Sequence, residues 1–110
     1  MTDDEVTLTI ELQLKLMALT MSCQKMLKLR TPENQESVDI EIDSAKFEIG
    51  LVNAMLSLLQ NNAPIPMPSA ETVAEMQAST AALQMAAENS ELVEDLINAA
   101  SAAIEAWPKA

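Results

Sequence analysis

The chain contains no histidine and no tyrosine, one cysteine, one glycine, and in Phe47 and Trp107 its whole stock of aromatics. Each shortage excludes something. Without His, the commonest general base, the commonest transition-metal ligand and the Glu-x-x-His di-metal motif of helical bundles are gone. A single cysteine, Cys23, rules out an internal disulfide framework and zinc sites of the usual kind. It fits a reducing compartment, where a lone Cys behaves as a small core residue. As a nucleophile Cys23 would lack an activating His, and Lys25 is a poor substitute. The one glycine, Gly50, cannot build a phosphate-binding loop. Asp39, Glu41 and Asp43 alternate like the start of a calcium loop, but Ser44 and Gly50 stand where an EF-hand loop needs Gly and Glu. That run reads as a solvated charged face. The expectation is a protein that is not an enzyme and binds no metal or cofactor.

Bases are the next scarcity: six Lys and Arg stand against 17 Asp and Glu, a net charge of −11. The imbalance is uneven. In residues 1–31 the acids Asp3, Asp4, Glu5 and Glu11 balance the bases Lys15, Lys25, Lys28 and Arg30. All of the excess negative charge lies beyond residue 31, where only Lys46 and Lys109 are basic. Such a surface repels nucleic acid and anionic membrane and steers toward basic partners. The chain opens "MTDDE" with no basic region ahead of an apolar run, so no secretory signal is expected. Glu11, Gln13, Lys15, Gln24, Lys25 and Lys28 interrupt the apolar stretch from Val6 to Leu29, which argues against a membrane span. A cytoplasmic location follows as the expectation.

What is present is helix-forming. Apolar residues make up 49% of the chain, eight of them Met, alongside abundant Ala, Leu and Glu. The length fits one domain, 1–110. An all-α fold is expected: about four helices in two hairpins, 1–60 and 70–107, with the first two helices central and a Pro-rich connector at 61–69. Thr2 and Glu5 have capping-box spacing. Leu8, Leu12, Leu16, Leu19, Cys23 and Met26 then form one apolar stripe of a first helix, and Ile10, Leu14, Met17 and Met21 a second on the far side. The alternative is a short ribbon, because Val6–Ile10 and Val38–Ile42 both alternate with period two.

In the second helix Thr31–Pro32 offers a cap and first-turn pair, with Ser37, Asp43 and Ser44 as later choices. Its seam is Ile42, Ala45, Ile49, Val52, Leu56 and Leu59, and beside it runs a stripe of Phe47, Leu51, Met55 and Leu58. Gly50 with Ala54 suggests a notch where another backbone could approach. Pro64, Pro66 and Pro68 then break the chain. After Ser69, a plausible cap, Val73, Met76, Thr80, Leu83 and Ala87 form a seam; Val93, Ile97, Ala100, Ile104 and Trp107 form another, out of phase. The slip at Glu88–Ser90 predicts two helices, Asn89 or Ser90 capping the second, and Trp107 before Pro108 is placed to lock the end onto the body.

Two functional expectations follow. Four helices cannot cover every apolar stripe, so Met17, Met21, Phe47, Leu51, Met55 and Leu58 should face a protein partner or a second copy in a homodimer, and Met suits an adaptable surface. This describes an oligomerising adaptor or chaperone-like assembly factor. The alternative is an acidic decoy that occupies a basic nucleic-acid-binding groove through Glu88, Glu91, Glu94 and Asp95, with Glu71 and Glu75 extending the row. Direct binding of nucleic acid or membrane is not expected. A ligand-binding bundle, the third possibility, has no convergent polar group to support it.

Overall fold

Thr2 and Glu5 start the first helix as their spacing predicts. In the computed structural model, which describes residues 1–108, the Thr2 hydroxyl accepts from the Glu5 N–H at 3.2 Å and the Glu5 carboxylate accepts from the Thr2 N–H at 2.9 Å. The helix, α1, then runs unbroken over Asp3–Leu29. No strand forms among the described residues, so the ribbon alternative is not adopted. The apparent period of two in Val6–Leu16 is two helical series of period four, Leu8–Leu12–Leu16 and Val6–Ile10–Leu14, offset by two residues. Leu8 and Leu12 are buried, and Val6, Ile10 and Leu14 are exposed.

The second helix, α2, spans Gln35–Gln60 and begins after the predicted Thr31–Pro32 pair. Thr31 and Asn34 bracket a tight turn: each N–H donates to the other's side-chain oxygen, at 2.7 and 3.3 Å. The Asn34 amide also donates to the Leu29 carbonyl at 3.0 Å, tying the turn to the end of α1. Asn62, at φ 55°, ends α2 ahead of the proline segment. The third helix, α3, covers Ala70–Asn89, with Ser69 as its cap accepting from the Thr72 N–H. The fourth, α4, covers Val93–Ala106. The predicted slip is real, but the cap residue of α4 is Leu92; Ser90 acts from two residues upstream, accepting from the Leu92 N–H at 3.1 Å.

Side-chain partners give the directions. Glu41 of α2 meets Ser101 of α4, and Glu33, Asn34 and Ser37 lie by Val93, Glu94 and Ile97, so α2 and α4 run parallel. Gln77 of α3 reaches Glu11, and the first turn of α3 lies by Thr7 and Leu8, so α1 and α3 are parallel as well. Around the bundle the order is α1, α2, α4, α3, with α1 and α4 also touching across the middle; α2 and α3 do not pack on each other. The connector therefore crosses one end diagonally. The molecule measures 47 × 21 × 18 Å, a length set by α1 at about 1.5 Å per residue.

The core divides in two. At the end holding the α1–α2 turn, Leu19, Met26, Val38, Ile42, Leu83, Leu96 and Ala100 pack together. At the other, Leu8, Leu12, Val52, Leu56, Leu59 and Met76 pack with half-buried Met55, Ile65 and Trp107. On α4 the buried line is Leu96, Ala100 and Ala103, whereas Val93, Ile97, Ile104 and Trp107 of the predicted seam are only half-buried. The apolar arc of α4 is broad; its centre faces the core and its edges lie against the neighbouring helices. Gly50 is exposed, and a Cβ built there meets nothing within 4 Å among the described residues. The expected backbone notch is thus unused within this chain.

Candidate interaction faces

Two apolar runs lie uncovered on the outside of the bundle, on α1 and on α2. On α1, Val6, Ile10, Leu14 and Met17 are exposed, Met17 by 60%, and Met21 is half-buried. Leu16, Met17, Thr20 and Met21 line a shallow apolar dent there. On α2, Phe47 is 61% exposed, Leu58 is exposed, and Leu51 and Met55 are half-buried. The exposed Ile40 continues this side toward the helix start.

The six residues predicted for partner binding are not one surface. On α1 the side toward α3 carries Glu11 and Lys25, which contact Gln77 and Glu91. Helical steps of about 100° place Met17 and Met21 outward and leaning to that side, away from α2. On α2 the side toward α1 carries Asp39, bound to Arg30, and Ile42; Phe47, Leu51, Met55 and Leu58 lean instead toward α4. The structure therefore separates Met17 and Met21 from the other four. Since α4 stops at Ala106 while α2 continues to Gln60, the later turns of the α2 run extend past the end of α4.

Between the two core clusters lies a polar contact that hydrophobic pattern-reading missed. Lys15 and Glu48 are 1% and 2% exposed, and the Lys15 Nζ stands 2.6 Å from Glu48 Oε2. The ammonium also donates to the Trp107 carbonyl, so Trp107 locks the chain end through its backbone as well as its ring. Burial pushes the Lys15 pKa down and the Glu48 pKa up, and the contact between them opposes both shifts. A signal was available: Lys15 stands three residues after Leu12 and four before Leu19, and Glu48 three after Ala45 and four before Val52. Each is a charge on a seam position. The Thr80 hydroxyl is a further buried polar group, without a partner among the described residues.

The other titratable candidates resolve into structural roles. Asp39 forms a two-point pair with Arg30 at 2.8 and 2.9 Å. Glu41 is buried and accepts from Ser101 at 3.1 Å; burial raises its pKa, which that hydrogen bond opposes. Asp43 is exposed. The calcium-loop-like run is thus three carboxylates in three environments on one helix. Cys23 is half-buried and its thiol pKa is raised, by burial first, with Lys46 opposing and Glu41 adding, so it is a poorer nucleophile than a free thiol.

Glu88, Glu91, Glu94 and Asp95 are exposed and grouped around the α3–α4 turn. Glu91 lies 3.4 Å from Lys25, Asp95 accepts from Ser90 at 3.1 Å, and Glu94 and Asp95 occupy the first turn of α4, where acids suit the helix dipole. Glu71 and Glu75 stand near the opposite end of α3, about 20 Å away at 1.5 Å per residue. A cleft of about 290 Å³ opens between the first turns of α1 and α3, lined by Thr7, Leu8, Met67, Val73 and others; it is at the small end for a ligand site.

By length and composition α1 is long and apolar enough to cross a membrane, the one such helix among the described residues. Its hydropathy has a local cause, since the helix is apolar both toward the core and on its outer face. Compared with known proteins, the chain matches no family model, no curated protein and no solved structure. What stands is a class defined by fold: a small all-α bundle of four helices.

Proposed function

We propose that the protein is a non-catalytic interaction module, an oligomerising adaptor or small chaperone-like assembly factor acting in the cytoplasm. The observation that carries this is Phe47, 61% exposed on a well-packed helix, with Leu51, Met55 and Leu58 on the same side. Burying such side chains stabilises a complex by roughly 1.5–3 kcal/mol for each one fully covered, and adaptable Met side chains suit partners of differing shape. The acidic-decoy alternative finds less support, because its carboxylates gather at the α3–α4 turn, where Glu91 meets Lys25 and Asp95 accepts from Ser90, instead of tracking a row of phosphates.

The test compares variants in a pull-down from source-cell lysate with low- and high-salt washes. A partner retained through high salt by the parent chain is expected to be lost with Phe47→Asp/Leu58→Asp. It is expected to be kept when Glu88, Glu91, Glu94 and Asp95 are all changed to their amides. A partner shed by salt and lost in the amide variant would overturn the apolar reading in favour of the decoy.

A further inference from the structure

We propose that the outer face of α1 is a self-association face, on which a second copy of this chain packs antiparallel; this rests on the interaction-module reading and names a partner for one of its two faces. At about 100° per residue, Asp3, Val6, Ile10, Leu14, Met17, Met21, Gln24 and Lys28 fall within one arc of about 80° on α1. Their spacings are all three or four residues, as along a coiled-coil seam. Val6, Ile10, Leu14 and Met17 are exposed and Met21 is half-buried. The arc is apolar through its middle, with an acid at one end and a base at the other.

That order is self-complementary in one sense only. A two-fold interface brings each residue i against j and, by symmetry, j against i. With the axis between Leu14 and Met17, Leu14 faces Met17 of the second copy, Ile10 faces Met21, and Asp3 faces Lys28. Parallel packing would set Asp3 against Asp3 and Lys28 against Lys28.

Charge over the whole chain selects the same face. The net −11 lies entirely beyond residue 31, and residues 1–31 carry none of it. Copies approaching through α2, α3 or α4 bring excess acids together, whereas approach through α1 does not. Within the arc the only charges are Asp3 and Lys28, which antiparallel packing joins twice. The α2 run has no comparable end-to-end complement: Asp39 and Asp43 lie near it, and Arg30 already engages Asp39.

Sedimentation equilibrium on the intact chain tests this, with circular dichroism confirming that each variant keeps its helicity. The parent is expected to be a dimer that persists in about 0.5 M salt, since its contact is mainly apolar. Met17→Asp changes an exposed side chain, so the fold should hold, and the dissociation constant of the dimer should rise about a hundredfold or more. Leu51→Asp should leave the dimer intact. Asp3→Lys should weaken it up to about tenfold, because two rim pairs become repulsive, and Asp3→Lys/Lys28→Asp should restore it.

A parent that is monomeric throughout overturns the proposal. So does a dimer that ignores Met17→Asp but is lost in Leu51→Asp, or flotation of the parent on zwitterionic vesicles that Met17→Asp abolishes. In any of these cases retention of a different protein through Phe47 and Leu58 would leave the interaction-module reading standing. Loss of both would end that reading too.

Discussion

Lys15 and Glu48 place two charges between two apolar clusters, and the energetics of such a pair are asymmetric. Removing both from water costs several kcal/mol per ion, which the 2.6 Å contact and the Trp107 carbonyl offset only in part. Burial lowers the Lys15 pKa and raises that of Glu48, so the folded interior disfavours the charge on each partner taken alone. Removing one partner leaves the other buried and uncompensated. Lys15→Met is therefore expected to destabilise by about 3–5 kcal/mol, while Lys15→Met/Glu48→Leu is expected to be neutral or stabilising by about 1–4 kcal/mol. Urea unfolding of the three chains checks this; a double variant as unstable as the single would mean that the pair itself stabilises the bundle. A neutral double variant would assign the pair a role in register. The pair aligns α1 with α2 at a single level and holds the backbone after α4 at the same place.

At the scale of the helices, the ends differ in how they are capped. Thr2 and Ser69 cap α1 and α3 with side-chain oxygens, but the cap residue of α4 is Leu92, which is exposed and makes no side-chain cap bond. Replacing a poor cap with Ser stabilises by typically about 1 kcal/mol. Leu92→Ser is expected to raise stability by that amount in denaturant titration, and an unchanged midpoint would show that Ser90 already satisfies the end of the helix. The helices themselves were legible because they rest on local rules. Capping spacing located α1 to within a few residues, alternating prolines located the connector, and a phase slip separated α3 from α4. What pattern could not supply was tertiary. Which line of the broad α4 arc faces the core depends on where α1 and α3 lie. That Met17 and Phe47 occupy separate surfaces depends on the diagonal crossing of the connector, to which residues 61–69 give no clue. Lys15 and Glu48 escape an apolar pattern because each is a charge, although both occupy seam positions.

Across the whole molecule, charge and burial combine to predict an unusual pH response. Carboxylates usually stabilise a fold when ionised, and acid removes that contribution. Here Glu41 is buried, has the Ser101 hydroxyl but no cation paired with it among the described residues, and its pKa is raised above the ordinary 4.5. The folded protein therefore binds this proton more tightly than the unfolded chain does. Its contribution is complete below 4.5 and is lost as pH rises through the raised folded value. The excess of 17 acids over six bases adds self-repulsion that protonation relieves. Opposing them, Asp39 and Glu5 have lowered values, from Arg30 and from Thr2, but both stay ionised until pH falls below their ordinary 3.8 and 4.5. Thermal melts followed by circular dichroism should thus show the melting temperature rising as pH falls from 7 toward 5. The Glu41→Gln variant should lose the local part of that rise, and about 0.5 M salt should suppress the long-range part by screening. A melting temperature that falls steadily over the same interval would mean that ionised carboxylates stabilise this fold on balance. The interval stops short of the isoelectric point near 4.1, where loss of net charge promotes association of any kind.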